Sequence, residues 1–144
     1  MKNNYDERQL YARGKAFKWA LFTMLISLIL WEVLCELRVC SADPLAELLI
    51  LMSPAFIVHM ILCIVNDAYD PINSRPGMIG FTMMPLASVG MLIAYIKDSE
   101  ILIEGSRITE AGGVMAIYTS WVIVSVIYWT HFMKEKRAEK EDCK

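Results

Sequence analysis

The chain has 144 residues, of which 56% are hydrophobic and 21% charged, and its formal net charge is −2. An ordinary soluble domain carries about a quarter charged residues, and here the charges are concentrated at the two ends and in the joints between four apolar stretches. This distribution argues against a soluble enzyme and against a disordered chain. The weak net charge, with no basic stretch interleaved with aromatics, argues against nucleic-acid binding.

Residues 4–17, before the first apolar stretch, predict a short interfacial helix. Asn4 is placed to cap this helix, with Glu7 three residues later as in a capping box. Basic side chains on the same segment are available to lipid phosphates. At the other end of the chain, Lys134–Lys144 predicts a solvated helical extension of the last apolar stretch.

The four apolar stretches predict membrane-spanning helices. They run over Phe17–Leu37, Leu45–Val65, Met78–Ile96 and Gly112–Met133. Each has about 20 residues, which is long enough to cross a hydrocarbon core about 30 Å thick. Backbone polar groups in lipid need partners within the chain. We therefore expect an all-α, four-helix transmembrane bundle, with residues 1–144 forming a single integral membrane domain.

The lysines and arginines predict how the chain is oriented. With four spans, both termini lie on one side, and that side would carry 11 of the 14 basic residues. The opposite side would carry 3, which are Arg38, Lys97 and Arg107. Since basic loops stay on the cytoplasmic side, we expect a multi-pass protein of the cell membrane with cytoplasmic N- and C-termini.

Four side chains form a candidate ion or ligand site. Glu32 and Glu36 are four residues apart on the first span and share one helix face, and Glu47 near the start of the second span could face them. His59 lies further along the second span. A carboxylate at membrane depth costs several kcal/mol unless it is paired, hydrated or protonated. Alternatively, Glu36 pairs with Arg38, or the helix tilts so that both acids reach surface water. His59 would then donate a hydrogen bond to a neighbouring helix or to a freed carbonyl.

The middle joint and the cysteines offer weaker signals. Asp67, Asp70 and Asn73 recur every three residues, but the loop lacks the further acid and glycine of a calcium loop. The cysteines contain no C-x-x-C pair and no zinc-ligand spacing; they are Cys35, Cys40, Cys63 and Cys143. We therefore expect no metal, no cofactor and no catalytic set.

Small residues on the fourth span predict a close helix contact. Gly112, Ala116 and Ser120 form a ridge with four-residue spacing, and such ridges let helices approach closely in lipid. The contact lies within the chain or, alternatively, forms the seam of a homodimer.

Three segments carry a resemblance to a known group of proteins. They are Tyr5–Gln9, Arg13–Phe17 and, in the middle joint, Asn66–Tyr69. In these segments the chain resembles small uncharacterised four-span membrane proteins of Gram-positive bacteria with an Asp-Glu-Arg-Gln N-terminal motif. The resemblance implies a bacterial cell-membrane protein and brings no activity with it.

Taken together, these patterns predict a non-enzymatic accessory or regulatory component of the membrane. Its partners would be the lipid bilayer and a protein at the cytoplasmic face. The alternative is a small proton- or cation-coupled transporter that uses the glutamates of the first two spans. An intramembrane enzyme is disfavoured, because the sequence has no phosphate loop, nucleophile elbow or H-E-x-x-H motif.

Overall fold

The computed structural model describes residues 6–37, 40–69, 76–97, 102–104 and 107–142. Within these ranges the chain forms four long helices and three two-residue strands. The helices are α1 (Glu7–Glu36), α2 (Pro44–Val65), α3 (Pro76–Ile96) and α4 (Glu110–Asp142). The strands are β1 (Ser41–Ala42), β2 (Ile103–Glu104) and β3 (Arg107–Ile108).

The four helices confirm the predicted spans and the all-α class. All four are long and apolar enough to cross a membrane, and this fold is compatible with a multi-pass membrane protein. The predicted extension of the last span is also confirmed, because α4 continues to Asp142. The prolines within α2 and α3, Pro54 and Pro85, do not end either helix.

The start of α1 differs from the prediction in two respects. The expected short N-terminal helix is not a separate element, because α1 runs without a break from Glu7 to Glu36. The cap is Asp6 and not Asn4, which lies outside the described residues. The Asp6 carboxylate accepts the Gln9 backbone N–H at 2.7 Å, and the Gln9 side chain accepts the Asp6 N–H in return. This capping box uses the expected three-residue spacing, shifted by two positions.

The helices pack in an order that differs from their order in the chain. α2 packs against both α1 and α4, and α4 also packs against α3. The core joins three of them through Ile64 of α2, Phe81 of α3, and Val124 and Tyr128 of α4. The ring of Phe81 is fully buried and stacks on Tyr128 at 4.3 Å between centroids. α2 and α4 are therefore the central helices, and α1 and α3 flank them.

The three strands close one end of the molecule, which we call the sheet end. β3 is the central strand, and it pairs with β1 in parallel and with β2 in antiparallel orientation. The Asp43 N–H donates to the Ile108 carbonyl at 2.9 Å, and the Arg107 guanidinium pairs with the Asp43 carboxylate at 2.9 Å. The segment before α2 is thus joined to the segment before α4.

The opposite end, which we call the tail end, gathers the start of α1, the end of α2 and the last turns of α4. The Gln9 side-chain amide donates to the Asp67 carbonyl at 2.7 Å and so ties α1 to the turn after α2. Asp67 in turn lies beside His131 and Glu135 of α4. α1 therefore begins at the tail end, and α4 ends there.

Candidate functional site

The three predicted carboxylates all lie at the sheet end. Glu32 and Glu36 are exposed on the last turns of α1, and Glu47 is half-buried in the first turn of α2. Glu47 lies where the positive end of the helix dipole favours a negative charge. The thiol of Cys35 lies within electrostatic range of Glu32, Glu47 and the Cys40 thiol. Glu32 and Glu47, which belong to different helices, are thus both within electrostatic range of the Cys35 thiol.

Two arginines, Arg38 and Arg107, are possible ion-pair partners of Glu36. Its proposed partner, Arg38, lies outside the described residues. Arg107 is engaged with Asp43, one residue before α2, and not with the glutamates of α1. Beside these charges Trp31 is buried, and within the described part of the chain its indole N–H has no hydrogen-bond partner.

His59 lies far from the carboxylates. Twelve residues separate it from Glu47 on α2, which corresponds to about 18 Å along the helix axis. The imidazole lies between α1 and α2, with the Phe17 ring edge-on at 6.5 Å and the Cys63 Sγ 3.8 Å from Nε2. Its Nδ1 is buried without a hydrogen-bond partner among the described atoms. The four residues predicted to form one candidate site therefore occupy two separate places.

The small-residue ridge of α4 packs within the chain. Gly113, next to the predicted Gly112, lies so close to Ala46 of α2 that a Cβ atom there would come within 3.0 Å of the Ala46 Cβ and carbonyl oxygen. A Cβ at Gly112 would lie 2.9 Å from the Leu102 carbonyl oxygen. Ser120 is 2% exposed, and its hydroxyl donates to the Ala116 carbonyl. A homodimer through Gly112, Ala116 and Ser120 stays a prediction.

An apolar groove opens between the two last helices. It has a volume of about 470 Å³ and is open on one side. Its lining comes from α3 and α4 and includes Phe81, Pro85, Leu86, Trp129 and Met133. None of the predicted site residues lines this groove.

A polar cluster at the tail end was missed by the sequence analysis. Asp67, His131 and Glu135 each present a ligand-type atom, and these atoms lie within 4.8 Å of one another. The sequence had grouped Asp67 with Asp70 and Asn73, which lie outside the described residues. The four-residue spacing of His131 and Glu135 on one helix was a visible signal, but it needed the neighbouring turn of α2 to become a cluster.

Asp67 has an unusual backbone conformation, which fixes where its side chain leaves the turn. Asp67 has a positive φ of 51°, and its N–H donates to the Ile64 carbonyl while the next N–H, of Ala68, donates to the Cys63 carbonyl. These two bonds form a Schellman motif, in which glycine is the usual residue at the position of Asp67. Asp67 therefore carries a carboxylate at a position where glycine would adopt the positive φ at a lower energetic cost.

Comparisons of this chain with protein-family models, with curated proteins and with solved structures found no match.

Proposed function

We propose that the chain is a non-enzymatic accessory or regulatory component of a membrane assembly, and that it works through contacts of its helices. The observation that carries this proposal is the exposure of the flanking helices. Only 11% of the apolar window of α1 and 11% of that of α3 is buried, against 28% for α4. Most of the apolar side chains of α1 and α3 are therefore available to lipid or to other helices.

Helix length supports a further contact surface outside the bilayer. α4 has 33 residues and α1 has 30, which corresponds to about 50 and 45 Å, against a hydrocarbon core of about 30 Å. The surplus turns of both helices lie at the tail end and carry charged side chains, among them Arg8, Lys134 and Arg137. The basic residues of this end favour the cytoplasmic side, so we place a protein partner there.

The experiment that tests this proposal is photo-cross-linking in native membranes. A photoreactive amino acid replaces Leu86 on α3, which is 66% exposed, or Ile29 on α1, which is 61% exposed. A helix that contacts a partner gives a discrete protein adduct of constant mass, whereas a helix in lipid gives none. The same amino acid at buried Val124 controls for labelling of this chain by itself.

Two results would overturn the accessory role. One is the absence of protein adducts at both exposed positions and along the tail end. The other is a chain that emerges alone from native membranes under extraction that preserves lipid contacts.

A second candidate, a small proton- or cation-coupled transporter, is favoured by Glu32 and Glu47, which come from different helices and are both within electrostatic range of the Cys35 thiol. In that case Glu32→Gln should abolish a pH-dependent flux in liposomes, because the variant can neither release a proton nor hold a cation. Glu104→Gln, in strand β2 and exposed, is the matched control and should leave the flux intact. Flux that survives Glu32→Gln would remove these acids from the mechanism.

A further inference from the structure

We propose that Asp67, His131 and Glu135 bind one divalent transition-metal ion of the zinc class, which ties the end of α2 to the last turns of α4. This site is independent of the accessory role proposed above. It uses a ring nitrogen and two carboxylates, whose ligand atoms already lie within 4.8 Å of one another.

The ligand types select the class of ion. An imidazole nitrogen suits zinc and its neighbours in the first transition row, and carboxylate oxygens complete such sites. The hard ions magnesium and calcium prefer sites made of oxygen alone. Three protein ligands leave a fourth position open for water, as in many zinc sites with N and O ligands.

The geometry needs a small closure of the side chains. Bonds of about 2.1 Å in a tetrahedral site place neighbouring ligand atoms roughly 3.4 Å apart. The His131 Nδ1 and a Glu135 oxygen are 3.9 Å apart, so this pair must approach by about half an ångström. The separations that involve Asp67 are at most 4.8 Å and must shorten by up to about 1.4 Å. The side chains of His131 and Glu135 are 29% and 41% exposed, which leaves both of them room to rotate.

The backbone positions of the three ligands are fixed before any ion binds. His131 and Glu135 lie one turn apart on a continuous helix. The turn that carries Asp67 is held by its two Schellman hydrogen bonds to α2 and by the bond from Gln9 of α1. Only side-chain torsions have to be ordered on binding, which lowers the entropic cost of forming the site.

The site also reduces a local electrostatic conflict. Two carboxylates within 4.8 Å of each other repel when both are ionised, and a divalent cation between them removes that repulsion. Because Asp67 belongs to the turn after α2 and the other two ligands belong to α4, the bound ion would act as a cross-link between the two central helices.

The proposal is tested by metal binding to the full chain, purified in detergent and freed of metal with a chelator. Zn²⁺ is added by equilibrium dialysis and the bound metal is measured directly. We expect one equivalent of Zn²⁺ per chain. Hydrogen-bond partners of metal ligands contribute about 10- to 100-fold to affinity, so losing a ligand itself in Asp67→Asn, His131→Gln or Glu135→Gln should weaken binding by at least that much.

The controls separate this site from other acids and from the thiols. Glu7→Gln, at the same end of the molecule, and Glu110→Gln, at the other end of α4, remove exposed acids outside the site and should bind Zn²⁺ as the unchanged chain does. Co²⁺ serves as an optical probe, because thiolate ligands produce a charge-transfer absorption band that nitrogen and oxygen ligands do not. We expect bound Co²⁺ without that band.

Three results would overturn the proposal. They are full Zn²⁺ binding in all three ligand variants, a thiolate band that places the metal on cysteine, and displacement of Zn²⁺ by equal concentrations of Mg²⁺, which would show an unselective acidic surface. Matching elution profiles of the variants confirm that any loss of binding is not a loss of fold. Asn tolerates the left-handed backbone conformation of Asp67 well, so that variant retains the turn.

Discussion

The close contact of Gly113 with Ala46 predicts that Gly113→Ala, which adds only a methyl group, lowers the free energy of unfolding. Non-bonded carbon atoms are at their best separation at about 3.5–4.0 Å. A Cβ at Gly113 would lie 3.0 Å from the Ala46 Cβ and carbonyl oxygen, and closer still to the Ala46 Cα. Because these are backbone-linked atoms that cannot rotate away, Gly113→Ala must move α2 and α4 apart by about 1 Å at this crossing.

The size of the penalty follows from two opposed terms. Overpacking of this kind costs about 1–3 kcal/mol, whereas replacing glycine by alanine within a helix contributes about 0.5–1 kcal/mol of stability. Gly90→Ala on α3 is the matched control, because a Cβ built there meets no described atom within 4 Å apart from its chain neighbours and the backbone of its own helix. The difference in the free energy of unfolding between the two variants should therefore be about 1–3 kcal/mol, with Gly113→Ala the less stable.

The assay is reversible unfolding in mixed micelles, titrated with a denaturing detergent and followed by tryptophan fluorescence. Both variants are measured beside the unchanged chain under the same lipid-to-detergent ratio. If Gly113→Ala were as stable as Gly90→Ala, or more stable, α2 and α4 would not cross at this glycine and the packing order of the helices would need revision.

Two further predictions concern the core and the sheet end. Phe81→Ala should lower the free energy of unfolding in the same assay by about 3–5 kcal/mol, because the fully buried ring is removed from the core. Phe22→Ala, which removes a ring 54% exposed on α1, should have little effect. Equal losses of stability in the two variants would contradict the assignment of Phe81 to the core. Arg107→Gln should cost less than about 1 kcal/mol, because the Arg107 side chain is 56% exposed. A double-mutant cycle with Asp43→Asn should give a coupling energy that falls at high salt, and a coupling that does not respond to salt would show that the pair is not governed by screened charges.

The spans were predictable because their signal is averaged over many residues. About 20 consecutive apolar residues identify a membrane-spanning helix whatever the detail of any one position. Caps depend on single residues, and Asn4 and Asp6 both fit a capping role by type. The prediction took Asn4 with Glu7 three residues later, whereas in the structure Asp6 forms the capping box with Gln9.

The sheet end could not be predicted from the sequence. Its strands have two residues each, which is too short for the alternation that marks a strand. No strand was therefore predicted in the loop that carries Ile103 and Arg107. The partner of that loop, Ser41–Ala42, is far away in the chain, and only the packing of the helices brings the two together.

The cluster of Asp67, His131 and Glu135 could not be predicted from the sequence for the same reason. His131 and Glu135 are neighbours on any helix that contains them, since four residues complete about one turn. Asp67 joins them because α2 packs against α4 and not only against its neighbours in the chain. A sequence shows helices and their faces, whereas the choice of neighbour follows from close contacts such as that of Gly113 with Ala46.

The parallel pairing of β1 with β3 also has a consequence for biosynthesis. β1 is synthesised directly after α1, but its hydrogen-bonding partner follows only after α2 and α3 have both been made. The hairpin of α1 and α2 must therefore enter the membrane before β1, in its connecting segment, has paired with β3. Hydrogen bonds between these two distant loops can form only when the segment just before α4 has left the ribosome. Their formation is therefore a late step in the maturation of the protein.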